Sequence, residues 1–214
     1  PEFTMLELYR AGADYTGVMA DLEALVEACA RALAPDGAPR ARRGGAEIAL
    51  AAPFERLSVA EAFRLHAGVD LPACAADARA LAREARRAGI DPGREGERYE
   101  DVFFRIMLER VEPRIGRARP TFLVDWPAPL AALARLRRDD PRVAERFELY
   151  AGGLELANGF SELADAAEQR RRLEEERALR RALGRPAHPV DERFLEAVGR
   201  MPDAGGVAVG LDRL

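Results

Sequence analysis

Residues Gly153 to Ala166 read GLELANGFSELADA, an apolar, strand-like run interrupted by Glu155 and Glu162, with an Asn-Gly pair between them. Carboxylates rarely stay buried without a partner, so the stretch calls for a cation. The two glutamates are seven positions apart, and strand side chains alternate faces with period two, so an unbroken strand sends them to opposite sides. Asn158-Gly159 offers two alternatives. A bulge there, using the permissive backbone of glycine, puts both carboxylates on one side. A hairpin with that dipeptide as its two-residue turn leaves both in solvent. Periodicity leaves the choice open. Carboxylates held together repel unless one is protonated or a cation joins them. Their hard oxygens suit Mg²⁺, which commonly takes one or two carboxylates plus substrate phosphates.

The last residues, GGVAVGLDRL (Gly205 to Leu214), add glycines 205, 206 and 210 among small apolar residues, followed by Arg213. Glycine lets a backbone approach a ligand closely, and arginine offers a planar fork for phosphate.

Composition bounds the rest. The 214 residues are 48% hydrophobic and 33% charged, which suits one globular domain with a substantial core and argues against disorder. All 33 basic residues are arginine, against 37 acidic ones, for a net charge of -4. That balance gives no general case for nucleic-acid binding, although a local basic groove stays open. Cys29 and Cys74 match no metal spacing, and Cys29 falls on the apolar face of a predicted helix, where a reduced, buried thiol is expected. No run approaches the ~20 apolar residues of a membrane span, and no signal-peptide pattern occurs, so the expectation is a cytoplasmic protein with no membrane partner.

Along the chain, Thr4 to Tyr9 alternates as a strand. From Tyr15 to Leu33, Val18, Leu22, Leu25, Val26, Cys29 and Leu33 fall at steps of three and four, an amphipathic helix of about five turns. Pro35 to Gly45 reads as a loop before a short strand, Glu47 to Ala51. Arg42 and Arg43 in that loop are read as solvated. Ser58 with Glu61 makes a capping box for a short helix through Phe63. Ala75 to Ala88 and Arg98 to Arg110 are helical, separated by a turn at Asp91 to Gly93. Thr121 to Asp125, Arg146 to Tyr150 and Leu154 to Leu163 read as strands, with Phe122 and Trp126 in the core. Asp165 and Glu168 cap a long charged helix ending near Gly184, whose EQRRRLEEERALRR run is read as a solvated face. Asp191 to Arg200 forms a last helix. Neither His66 nor His188 has a partner that suggests catalysis. Unequal helices between strands, without a regular βαβ repeat, indicate an α+β fold in one domain.

Four blocks, PEFTMLELY (Pro1 to Tyr9), PTFLVDWPAPLAALA (Pro120 to Ala134), RFELYAGGLELANGFSELADAAEQ (Arg146 to Gln169) and MPDAGGVAVGLDRL (Met201 to Leu214), resemble, in order, the catalytic domain of the class II aminoacyl-tRNA synthetases in their lysyl branch. The resemblance implies an antiparallel sheet flanked by helices, with ATP and an amino acid bound on the sheet. Pro1 to Tyr9 resembles the second half of motif 2 and Gly205 to Arg213 resembles motif 3. Carried over by residue, the resemblance implies that Glu155 serves ATP and Mg²⁺ and that Leu156 follows it in the nucleotide site. It assigns Glu162 to Mg²⁺ or to the substrate amine, and Tyr9 and Asn158 to the amino-acid pocket. Gly210 is implied to contact ATP, and Arg213 to meet the terminal phosphate, with Glu155 and Arg213 as the catalytic pair.

Two departures stand out. Where lysyl-tRNA synthetases usually carry a glycine two residues before the last motif 3 glycine, this chain has Ala208, whose methyl narrows the amino-acid pocket. ELANGF and MPDAGGVAVG resemble the shorter paralogue in the branch, which lacks an anticodon-binding domain and ligates lysine, preferentially (R)-β-lysine, to a lysine of elongation factor P. The resemblance therefore implies β-lysine or lysine as substrate and elongation factor P rather than tRNA as acceptor, with a homodimer as the full-length form. Motif 1, the first half of motif 2 with its α-phosphate arginine, and the helix after motif 3 are not in the sequence. The expectation is an incomplete catalytic domain, a fragment rather than a decayed relative, that does not adenylate alone.

Overall fold

The apolar spacing from Tyr15 to Leu33 forms helix α1 with those bounds. Asp14 caps it by accepting from the backbone N–H groups of Thr16 and Gly17, and Val18, Met19, Leu22, Val26 and Ala30 form its buried stripe. The computed structural model that shows this describes residues 2–74 and 76–214. Pro1 and Ala75, each the first residue of a predicted segment, lie outside the described residues.

Helix α1 packs on a six-stranded sheet ordered β1-β8-β7-β6-β5-β4. Its strands are β1 (Met5–Ala11), β4 (Glu55–Ser58), β5 (Thr121–Pro127), β6 (Val143–Ala151), β7 (Leu154–Ser161) and β8 (Ala204–Gly210). Neighbours are antiparallel except β4 and β5, which are parallel. The architecture is the mixed, mostly antiparallel one expected of an α+β chain.

The sheet has two faces of different character. Toward α1 it presents Phe122, Phe147, Leu149, Leu156, Ala157, Val207 and Val209, all buried in one cluster with the α1 stripe. Burying side chains of this size stabilises by roughly 1.5–3 kcal/mol each. On the other face, α2 (Val59–Ala67), α3 (Leu71–Cys74), α4 (Ala78–Arg87) and α5 (Tyr99–Ile106) cover the β4-β5 side, with Leu123, Trp126 and Tyr150 in their core. A π turn at Met107–Val111 prolongs α5. Helices α6 (Ala166–Ala182) and α7 (Glu192–Val198) follow β7 and are capped by Asp165 and Asp191.

Several expectations change here. The loop expected over Pro35 to Gly45 contains strand β2 (Arg40–Arg43), which pairs with β3 (Ala46–Ala49) across Gly44-Gly45. Both glycines have positive φ, as a tight primed hairpin turn requires. Strand β4 and helix α3 were not expected, and α2 runs four residues beyond Phe63. Cys29 is only half-buried. The buried thiol is Cys74, whose pKa burial pushes up to about 11.

Candidate active site

The chain turns from β6 to β7 at Gly152-Gly153, with φ of 59° and 76°, so the hairpin turn lies before the two glutamates and not at Asn158-Gly159. The bulge is elsewhere too. Leu149 pairs with Ala157 and Tyr150 with Glu155, leaving Leu156 as the extra residue. Leu156 and Ala157 consequently both point into the α1 core. Asn158 and Gly159 lie in regular pairing with β6 and β8. One inserted residue changes the parity of the strand, and Glu155 and Glu162 end on the same face.

That face is open over β7, β8 and β1, and its residues form two cross-strand rows. Arg146, Phe160, Gly206 and Tyr9 make one, and Glu148, Asn158, Ala208 and Glu7 the other. Beyond the second row, Met5 pairs with Gly210 and Tyr150 with Glu155. Glycine at 206 is dictated by space. A Cβ there would lie 2.5 Å from Glu162 Oε1 and 2.7 Å from Tyr9 Cδ1, so the carboxylate and the ring close over bare backbone.

Glu162 has no hydrogen-bonding or ionic side-chain partner among the described residues, and burial lifts its pKa to about 7. Tyr9 has a raised pKa, mainly from burial and then from the charges of Glu162 and Glu7. Unpaired, half-buried and flanked by a ring, this carboxylate offers a place for a cation.

At the far end of β7, the Arg213 Nη1 donates to the Glu155 carbonyl at 2.7 Å and lies 3.8 Å from Glu155 Oε2. Burial raises the Glu155 pKa, and the charge of Arg213 opposes that rise. A cavity here is lined by Phe3, Glu155, Asn158, Ala208, Gly210 and Arg213. Leu156 also lines this cavity, while its side chain belongs to the buried cluster on the α1 side. Gly210 has room: the nearest atom to a Cβ there is Arg213 Cδ at 3.7 Å.

The two carboxylates share a face without sharing a site. Seven positions of strand separate their backbones by about 20 Å, so they do not hold one ion between them. No group of three or more His, Cys, Asp or Glu side chains is placed to hold a metal among the described residues.

Sequence reasoning passed over Arg146, Glu148, Tyr150 and Phe3. Glu148 is buried on the site face. Its carboxylate accepts from Arg146 Nη2 at 2.7 Å and from the Tyr150 hydroxyl at 2.6 Å. Burial lifts its pKa to about 7 against the pull of Arg146, and the charge of Glu155 adds to the rise. The alternation in RFELY carried the signal, since it puts Arg146, Glu148 and Tyr150 on one face. Phe3, 71% exposed, presents a free ring at the cavity; an exposed aromatic beside a strand was its clue.

The sheet is mostly antiparallel, with one face packed on α1 and the other open over β7, β8 and β1, carrying Glu155, Glu162 and Arg213. The sequence profile of the tRNA synthetases class II (D, K and N) matches residues 1–214, and the chain belongs to that family. Among curated proteins it is 37% identical over 216 residues to the elongation factor P--(R)-beta-lysine ligase of Salmonella dublin and 39% identical over 216 residues to that of Edwardsiella ictaluri, covering all of this chain and 60% of each relative. It is also 39% identical over 220 residues to the lysine--tRNA ligase of Pelotomaculum thermopropionicum, covering all of this chain and 42% of that protein. The chain thus spans less than two thirds of these relatives' lengths. No helix among the described residues is long and apolar enough to cross a membrane.

Proposed function

We propose that the full-length protein is an ATP-dependent ligase that forms an aminoacyl-adenylate from (R)-β-lysine or lysine and transfers the aminoacyl group to a lysine of elongation factor P. The observation that carries this reading is the Glu162 carboxylate, without a cationic partner among the described residues and poised with Tyr9 above Gly206. A substrate ammonium answers it: a charge-assisted hydrogen bond to a half-buried carboxylate contributes about 1.5–3 kcal/mol.

The opposite end suits ATP. In this reading Arg213 meets the terminal phosphate, Gly210 leaves its strand bare for the nucleotide, and Phe3 offers a flat surface to the base. Adenylation is attack by the amino-acid carboxylate on the α-phosphate, a step that depends on alignment and charge neutralisation more than on a protein base. The donor set fits Mg²⁺: Glu155, with Glu148 beside it, gives hard oxygens, and too few protein ligands gather for a dedicated cage, so phosphates would complete the shell. When bound, Mg²⁺ would offset phosphate charge; Glu155 would hold it, while Arg146 and Tyr150 keep Glu148 in place. Glu162 belongs with the amine rather than with the metal.

Ala208, facing up between Asn158 and Glu7, supports the protein-modifying branch, because its methyl narrows the floor where lysyl-tRNA synthetases usually have glycine. Lysyl-tRNA synthesis is the second reading, supported by the similarity to the Pelotomaculum enzyme. A cytoplasmic homodimer is the setting proposed for the full-length form. The test offers full-length protein ATP and labelled lysine or (R)-β-lysine, with elongation factor P or tRNA as acceptor. Label on elongation factor P supports the proposal. Label on tRNA alone overturns it in favour of the second reading, and no adenylate with either amino acid indicates a non-catalytic paralogue.

A further inference from the structure

A local basic groove, which composition left open, occurs on α4. Arg79, Arg83 and Arg86 stand at steps of four and three, on the side of the helix away from its buried Leu81 and Ala85. With Arg94 they line a cleft of about 380 Å³ whose apolar lining includes Ala82 and Val102. All four arginines are exposed, and none has a carboxylate partner among the described residues. The arginines around them are paired: Arg87 with Glu84 at 2.6 Å, Arg98 with Asp101 at 3.1 Å, and Arg105 with Glu97 at 3.0 Å. Asp77 is spent on the cap of α4 and Asp91 on the Gly93 N–H. Among the described residues the cleft is thus left with four unpaired positive charges and one unpaired negative charge, Glu95, in a chain of net charge -4.

We propose that the Arg79, Arg83 and Arg86 face of α4, with Arg94 across the cleft, is a docking surface for an acidic segment of the protein that accepts the aminoacyl group. The inference rests on the reading of the open sheet face as a protein-modifying site and names where that protein is held. Helices α2 to α5 stand on the same side of the sheet as the open face and form its wall: Phe104 of α5 lies 6.5 Å from the Trp126 ring, on which Arg146 stacks. A lysine side chain is short, so an acceptor that delivers one to an adenylate on the sheet must rest its body on that wall. Arginine forks match carboxylates in pairs of hydrogen bonds. The three arginines of α4 span about 10 Å along the helix axis. Carboxylates at steps of four and three on a partner helix, or at alternate positions of an extended segment, reproduce that spacing. An extended phosphate backbone fits less well, because the net negative charge of the chain repels it and Glu95 interrupts the cleft.

The test compares full-length wild type with R79Q/R83Q/R86Q, whose exposed glutamines keep the helix, and with R181Q/R185Q/R193Q, which removes the same charge from exposed arginines elsewhere. Pyrophosphate exchange reads adenylation, and transfer of labelled lysine or (R)-β-lysine to elongation factor P reads docking. In R79Q/R83Q/R86Q the KM for elongation factor P should rise about 10-fold or more, with kcat and pyrophosphate exchange within 2-fold of wild type. R181Q/R185Q/R193Q should leave all three within 2-fold. Added salt should raise the wild-type KM for the acceptor and move that of R79Q/R83Q/R86Q much less. An unchanged KM in R79Q/R83Q/R86Q, or an equal rise in both variants, overturns the inference and leaves the functional reading standing. Loss of tRNA binding in R79Q/R83Q/R86Q, with transfer to elongation factor P unaltered, assigns the cleft to nucleic acid and also overturns it. Wild type that forms an adenylate but transfers nothing to elongation factor P overturns the functional reading and the inference together.

Discussion

Glu162 and Tyr9, on opposite sides of β8, converge over Gly206, so that a single methyl group at that position would collide with both. Glycine is fixed there by the two side chains that close over it, not by backbone conformation.

Gly206→Ala should therefore push Glu162 and Tyr9 aside, with amino-acid binding weakened at least 10-fold and stability lowered by about 1–3 kcal/mol. Gly210→Ala has free space to enter and should change stability by less than about 1 kcal/mol. Thermal unfolding and amino-acid titration of the two variants in the full-length protein check the contrast. Equal behaviour would contradict the geometry.

The titration of Glu162 makes amino-acid binding pH-dependent. Burial raises the pKa from its ordinary 4.5 to about 7, and only the ionised form holds an ammonium. Affinity for lysine should rise about tenfold from pH 6 to pH 8 and then level off. Stability runs the other way: the unfolded chain loses this proton first, so the folded state loses stability as pH climbs from 4.5 through 7. Glu162→Gln should flatten the affinity profile and weaken amino-acid binding about 10- to 100-fold, leaving ATP binding within 2-fold. After allowance for solvent screening, it should also be more stable than wild type by about 1–2 kcal/mol at pH 8, with little difference at pH 4. Isothermal titration and chemical denaturation at the two ends of the range read both effects.

Ala208→Gly removes the methyl between Asn158 and Glu7 and widens the floor. The ratio of adenylate formed with lysine to that formed with (R)-β-lysine should rise by about 10-fold, the scale of one methyl group in a pocket. Pyrophosphate exchange with each amino acid measures it.

Glu155→Gln should raise the Mg²⁺ concentration needed for half-maximal adenylation by about 10-fold or more while leaving amino-acid affinity unchanged, because Glu162 lies at the other end of the strand. A parallel loss of amino-acid binding would show that the two ends are not separate.

Much of this was legible in the sequence. The three-and-four spacing of Val18, Leu22, Val26 and Cys29 specifies α1, because a helix on a sheet must carry one continuous apolar stripe. The parity of Glu155 and Glu162 showed that only an interrupted strand could bring them to one face. It did not show where, since the bulge sits inside LELA: Leu156 and Ala157 are both apolar and both face α1, which looks from sequence like ordinary strand. Asn158-Gly159 has the stronger turn chemistry, yet the turn falls at Gly152-Gly153, because β7 continues in pairing with β8 through that dipeptide. Strand β2 stayed hidden because all four of its residues are exposed and three are arginine, so no burial pattern marks it. The alternation in RFELY puts Arg146 and Glu148 on one face, but the burial of that face depends on Leu130 and Trp126, which only the folded chain brings against Arg146.

The central claim is that the bulge at Leu156 places Glu155 and Glu162 on one open face, one for nucleotide and metal and the other for the substrate amine. A crystal structure of the full-length protein with Mg²⁺, a non-hydrolysable ATP analogue and lysine tests it most directly. The account predicts the lysine ammonium within about 2.7–2.9 Å of a Glu162 oxygen and the phosphates at Arg213 and Glu155. A ligand whose ammonium lies out of hydrogen-bond reach of Glu162, or phosphates bound away from Arg213, would contradict it.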